Sequence, residues 1–198
     1  MSRFSSVIMI AVVFLALALV GQVIKAQVSR AGEKHRLVQV EDVASFGEVK
    51  VFTHENAIEK GGVRDYGLIT GWDEGKVTDL VVVMPEDKNG ILINSASYKF
   101  QSVSAAQAAL DSLPNPVECC SWQFVAENTS PPQESLAELL KGHSWRLWQG
   151  IDGEGLPAYV LWIRFGALIS EVHLNVTPGQ EALARQVLNH VAAQLVSR

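Results

Sequence analysis

Cysteine is nearly missing from this chain. Of 198 residues two are cysteines, and they are neighbours, Cys119 and Cys120 in the stretch Pro116-Val117-Glu118-Cys119-Cys120-Ser121-Trp122. No spaced pair remains to staple distant segments, so a hydrophobic core must hold the fold. Metal-ligand spacing is missing as well: there is no Cys-x-x-Cys, and His35, His54, His143, His173 and His190 are scattered without an HExxH pattern. A zinc enzyme is therefore not suggested, and no metal or other cofactor is expected. A Gly-x-Ser-x-Gly elbow is absent, and the glycines of Gly150-Ile-Asp-Gly153-Glu-Gly155 precede a strand, whereas a phosphate cradle should open a helix. The acidic pairs Asp73-Glu74 and Glu86-Asp87 sit in turns, where turn chemistry explains them. No catalytic residue stands out, and the balance leans away from an enzyme.

Charge is missing between Arg3 and Lys25. The apolar run Val7 to Val20 fits the central region of a secretory signal, with Ile24-Lys25-Ala26 before Gln27 as a loose cleavage site. Alternatively, the uncharged span from Phe4 to Ile24, at about 1.5 Å per residue, just crosses a hydrocarbon core of roughly 30 Å. Residues 1–26 are thus a signal peptide or a single transmembrane anchor, and both readings stay open. Lys25, Arg30, Lys34 and Arg36 follow the apolar run, which by the positive-inside tendency would keep the bulk of an anchored chain in the cytoplasm. Export is nevertheless expected, because such a segment ahead of one globular unit is more often an export device. Residues 27–47 read as a juxtamembrane linker, solvated or resting on anionic headgroups. Without residues 1–26 the chain keeps 14 cations against 21 acids, a net of −7. No basic stripe with interleaved aromatics survives, so nucleic acid is not an expected partner. The membrane, through the first segment, and a protein in a membrane complex are.

What is present is a repeated pattern. A hairpin followed by a helix occurs twice, in halves 48–115 and 128–198 of a domain spanning 48–198. Ser104-Ala-Ala-Gln107 and Thr177-Pro-Gly-Gln180 read as capping boxes opening the two helices, and Ser130-Pro-Pro-Gln133 opens a shorter one that stops at Gly142. In the last helix Leu183, Val187, Leu188, Val191 and Leu195 share a face, with Pro178 at the first turn. The hairpins are Val77 to Met84 with Ile91 to Phe100, joined through Asn89-Gly90, and Ala158 to Phe165 with Ala167 to Val176, joined at Gly166. Each is preceded by a further strand, Asp65 to Trp72 and Ser144 to Gly150, and each of those by a short helix, near His54 to Lys60 and at Pro131 to Leu140. The expectation is an α+β fold: one antiparallel sheet of about six strands from two α-β-β-β-α halves, helices mainly on one face, and an apolar N-terminal helix.

Arg164-Phe-Gly166 turning into an apolar strand that ends at a capped, alanine-rich helix, together with Gly62-Val-Arg64-Asp-Tyr66, resembles extracytoplasmic domains of bacterial lipoproteins and sensor-like proteins. The resemblance spans residues 50–198 and implies a location and an architecture, but no site.

Two groups of residues could carry function. In a strand from Ala167 to Val176, Leu168, Val172, Leu174 and Val176 share one face, while Glu171, His173 and Asn175 share the other. The adjacent strand adds Trp162 and Arg164 to that second face. Trp162, Arg164, Glu171 and His173 then combine an aromatic plate with donors and acceptors, suited to a small polar ligand or a protein partner. The alternative is an ordinary solvated sheet face.

Cys119 and Cys120 have four readings: a direct disulfide closing an eight-membered ring, a bridge to another chain, a metal site, or packing as a small hydrophobe beside Trp122. Redox activity is the functional version of the first, although Glu118 would push a thiol pKa the wrong way. The leading expectation is a non-catalytic exported or anchored domain that binds a ligand or serves as accessory subunit of an envelope complex; a thiol-dependent redox protein is the alternative.

Overall fold

A computed structural model describes residues 34–61, 68–84, 90–114, 116–127 and 134–198. Within it β1 (Glu48–Ala57), β2 (Glu74–Val83), β3 (Gly90–Lys99), β4 (Gln123–Glu127), β5 (Ser144–Ile151), β6 (Pro157–Phe165) and β7 (Leu168–Asn175) form one antiparallel sheet. The order is β1-β2-β3-β7-β6-β5-β4. Among the described residues the helices are α1 (Val40–Val43), α2 (Val103–Asp111), α3 (Pro116–Cys120), α4 (Glu134–Leu139) and α5 (Glu181–Ser197). The α+β class holds, and both hairpins form: β6 and β7 turn at Gly166 as expected, while residues 85–89 of the β2–β3 turn, Asn89 among them, lie outside the described residues.

Several elements differ from expectation. The helix expected near His54 to Lys60 is the end of strand β1, which pairs with β2 along an edge and is kinked by two register shifts, with Glu55 at φ 47°. Helix-favouring residues here yield to tertiary pairing. Of the strand expected at Asp65 to Trp72, residues 65–67 lie outside the described ones, and Leu68 to Trp72 form a bend that buries Ile69 and Trp72. The Trp72 indole N–H donates to the Ile69 carbonyl at 3.1 Å. Strand β4, directly after Trp122, was not foreseen and brings the count to seven. The cap of α2 is Ser102, whose Oγ accepts from the Ala105 N–H at 3.1 Å, two residues ahead of the expected Ser104. At α5, Pro178 and a left-handed Gly179 (φ 95°) prolong the turn, so the helix begins at Glu181 after Gln180. The box Ser130-Pro-Pro-Gln133 and residues 1–26 lie outside the described residues. Among those that are described, no helix is long and apolar enough to cross a membrane.

Helices cover both faces, not mainly one. Strand alternation sends Leu80, Ile93, Leu161, Val172 and Leu174 to one side, where they pack with Val187, Leu188, Val191 and Leu195 of α5, Val43 of α1 and Leu136 of α4. The alternate positions Val77, Ala96, Tyr98, Trp148, Val160, Trp162 and Ile169 pack on the other side with Ala106, Ala109 and Leu110 of α2 and with Trp122. This split also limits the repeat. Strands β3 and β7 meet antiparallel at the centre, so a duplication symmetric about that seam would use a two-fold normal to the sheet, leaving both long helices on one face. They lie on opposite faces, so the two halves share a pattern of elements without sharing a packing.

Residues 35–47, within the span read as a linker, are packed into the domain. Leu37, Val38 and Val43 are fully buried. Their backbone answers buried serines on the α5 face: Ser95 Oγ accepts from the Val38 N–H at 3.0 Å, and Ser170 Oγ donates to the Arg36 carbonyl at 2.7 Å. The chain ends are cross-tied, with Arg36 donating to the Leu195 carbonyl at 2.7 Å and Arg198 to the Leu37 carbonyl at 2.6 Å and to the buried Asp42. The buried Ser95, Ser170 and Asp42 thereby gain partners.

Candidate functional site

The register of the sheet aligns one row of side chains across five strands on the α2 face. Asp79 of β2 pairs with Asn94 of β3, Asn94 with His173 of β7, His173 with Val160 of β6, and Val160 with Trp148 of β5. Leu92 and Asn175 flank this row on one side, and Glu171 flanks it on the other. Opposite it stand Trp122, Leu68 and the C-terminal end of α3, where Cys119 and Cys120 are joined in a direct disulfide. Helix α2 covers the same face further along but stops short of this row. The space between is a cavity of about 540 Å³ lined by these residues. Its size and mixed lining are those of a small-molecule site.

Local structure explains the wall. Ser121, directly after the disulfide, takes a left-handed conformation (φ 58°), which turns the chain sharply and lays Trp122 over the sheet. Non-glycine residues adopt this region at a cost and hold it only where packing compels them. Trp122 meets His173 at 5.9 Å and Trp148 at 6.3 Å between ring centroids, and Trp148 stands edge-on to Trp162 at 4.5 Å. The opposite end is fixed by Asp152 in the β5–β6 turn. One of its oxygens accepts from the Glu154 and Leu156 N–H groups at 2.9 Å each, and the other accepts from the Asn175 side chain at 2.5 Å.

The floor is electrostatically unusual. Glu171 is almost fully buried, with room left by Ala96 across the strand pair, and the Trp162 indole N–H donates to its Oε2 at 2.8 Å. Burial pushes its carboxyl up to about 7, and the Trp162 hydrogen bond offsets only part of that shift. His173 is moved the opposite way, down to about 4, because burial disfavours the imidazolium more than the Asp152 carboxylate favours it. Near neutral pH the cavity therefore holds a neutral imidazole beside a carboxyl near its midpoint. Asn94 donates to the Asp79 carboxylate, leaving the Asn94 Oδ1 without a protein partner. The His173 Nε2 and the Trp148 Nε1 are likewise buried and unpartnered. Such groups normally cost about 1–3 kcal/mol each when nothing meets them, so three of them on side chains around one cavity call for an explanation.

Of the four residues singled out by strand alternation, Glu171 and His173 line the cavity and Trp162 lies beneath it, orienting Glu171. Arg164 does not line it: its guanidinium is held by the Gln107 Oε1 at 2.8 Å, the Ser144 Oγ at 3.1 Å and the Gly166 carbonyl at 3.2 Å, tying α2 to the sheet. The face they share is covered by α2, α3 and Trp122 and is no ordinary solvated surface. The cysteines, considered apart from those residues, form the wall facing them. Asp79, Asn94, Leu92 and Trp148 were not grouped with the site from sequence, because cross-strand register brings them there, and Trp122 arrives through the turn at Ser121. Among the described residues no cluster of His, Cys, Asp or Glu is arranged to hold a metal ion.

Comparison with protein-family models and with curated proteins yields no match. Among solved structures, the chain is similar to the extracellular domain of PknH from Mycobacterium tuberculosis, at a TM-score of 0.42 and 13% identity, covering 82% of this chain and 93% of that one. A likeness this loose transfers no residue and no role.

Proposed function

We propose that this protein is a non-catalytic extracytoplasmic binding domain, tethered to a membrane or released, which holds a small ligand in the cavity between the Cys119–Cys120 wall and the Asn94–His173–Val160 row. The observation that carries this reading is the unmet hydrogen-bonding capacity of Asn94, His173 and Trp148, whose side chains all belong to the lining of one cavity of ligand size. Export rests on the apolar segment before Lys25, and a disulfide fits an oxidising compartment. As an accessory subunit of an envelope complex, such a domain would report ligand to a partner through its anchor or its α5 face.

The test is to purify the protein from its native host, release bound small molecules by denaturation and identify them by mass spectrometry. A stoichiometric compound is expected from the wild type and not from Val160→Phe, which fills the cavity floor; far-UV circular dichroism checks that the variant is folded. Equal recovery from both proteins, or none from either, would count against the reading. The same preparation shows whether the chain begins at Gln27 or at Met1, which separates the released from the tethered form.

A second reading is supported by the disulfide itself: a bond facing a cavity, with Cys119 exposed, can be reached by a thiolate. If the protein acts by thiol exchange, serine at both Cys119 and Cys120 abolishes exchange with a model dithiol. Unchanged exchange in that double variant ends the redox reading.

A further inference from the structure

Resting on the binding reading above, we infer that the cavity recognises a small organic amine, a cationic head on an apolar body, with the head at the Glu171, Asn94 and His173 end. The polar atoms offered by that end are acceptors or can act as such. Glu171 presents a carboxyl steered by Trp162, Asn94 presents an Oδ1 with no protein partner, and His173 presents a neutral imidazole nitrogen, Nε2, also without one. Asp79, already hydrogen-bonded to Asn94, adds acidic character at the same end. No lysine or arginine is among the described residues lining the cavity. The rest of the wall is Leu68, Leu92, Val160, Trp122, Trp148 and the disulfide.

Charge and hydrogen bonding decide between ligand classes. An anionic ligand would be brought against Glu171 and Asp79 with no cation among the described lining residues to meet it, and like charges in a poorly hydrated site repel strongly. A purely apolar ligand would displace water from Asn94 Oδ1 and Glu171 and leave both unpaired, which is the costly arrangement. An alkylammonium donates up to three hydrogen bonds, matching three acceptors on one end, while indole faces and aliphatic side chains accommodate its body. The ammonium also changes the state of Glu171, since an adjacent positive charge favours the carboxylate that burial opposes. Binding and ionisation of Glu171 are then linked, so affinity rises with pH until that group is ionised. Other charged or titratable groups on this face are Asp79 of β2, Asp152 of the β5–β6 turn, and Arg146 and Arg164 of β5 and β6. His173 stays neutral over the range where Glu171 titrates.

The experiment titrates the full chain, in mild detergent, with three probes that share one body: 2-phenylethylamine, 2-phenylethanol and 3-phenylpropionate. Trp122 and Trp148 provide a fluorescence signal, and calorimetry gives the affinity. At pH 8 the amine is expected to bind about tenfold or more tightly than either other probe, as hydrogen bonds to a charged group require. Glu171→Gln should remove that advantage, bringing the amine to within about twofold of 2-phenylethanol on the same variant, and wild-type affinity for the amine should weaken several-fold from pH 8 to pH 6. The amine itself, with a pKa of about 10 like that of a lysine, stays cationic throughout. Alcohol or carboxylate binding as tightly as the amine, or an amine affinity indifferent to Glu171→Gln, overturns the amine inference and leaves the binding reading standing. Binding of none of the three also overturns it, and the mass-spectrometric test then decides the binding reading on its own.

Discussion

The two faces of the sheet are built from the same strands, yet they solve burial differently. On the α5 face the buried Ser95, Ser97 and Ser170 are met by the incoming segment from Arg36 to Val38, and Thr78 accepts from the Glu55 N–H. On the α2 face, polar groups at alternate positions of the same strands turn into a cavity, and Asn94, His173 and Trp148 keep unmet hydrogen-bonding atoms. Stability is concentrated on the first side and binding capacity on the second. One strand can serve both because its side chains alternate.

Substitutions at neighbouring positions of β6 test this contrast most strongly. Leu161, fully buried on the α5 face, should cost about 2–5 kcal/mol when changed to alanine, because a close-packed site leaves a new cavity. Val160→Ala, one residue away on the other face, should cost about 1 kcal/mol, because it enlarges space that already exists. Urea unfolding measures both, and equal losses would mean that the two faces are packed alike.

The next effect is a pair of opposite pH dependences. Glu171, with its folded pKa raised, binds more protons in the folded than in the unfolded chain between about pH 4.5 and 7, so its contribution falls as pH rises through that window. His173, with its folded pKa lowered, is protonated first in the unfolded chain, so its contribution grows from about pH 4 to 6.5. In the wild type the two slopes largely cancel between about pH 4.5 and 6.5. Glu171→Gln should then make stability rise with pH, and His173→Gln should make it fall, each by up to about 3 kcal/mol across its window. Calorimetric melting at several pH values reads both, and two flat profiles would remove the electrostatic contrast between the faces.

Smaller effects belong to the cavity wall. Ser121→Gly relieves a left-handed backbone and, after the entropy a glycine loses on folding, should stabilise by about 0.5 kcal/mol in thermal melting. A bridge between adjacent residues closes almost no loop, so serine at both Cys119 and Cys120 should change stability by less than about 1 kcal/mol. The emission of Trp122, which packs beside that wall, should shift all the same. A large loss of stability would make the disulfide part of the structural side of the comparison.

Hairpins β2–β3 and β6–β7, the stop at Gly142 and the apolar stripe of α5 were legible in the sequence because turn residues and periodicity act over a few neighbouring positions. The same local alternation placed Glu171, His173 and Trp162 on one face. Helix-favouring residues at the end of β1 misled, since pairing with β2 outweighs local preference.

The sequence alone thus determined the strands of the two hairpins and β5, the face that their side chains take, and the adjacency of Cys119 and Cys120. Only tertiary structure decided that β3 lies beside β7, which brings Asp79 and Asn94 to His173, that α2 and α5 take opposite faces, and that the disulfide roofs a cavity instead of packing as an isolated hydrophobe. The physical reason is range. Dihedral preference and alternation are set by adjacent residues, whereas strand order and the burial that shifts Glu171 and His173 arise from segments far apart in the chain.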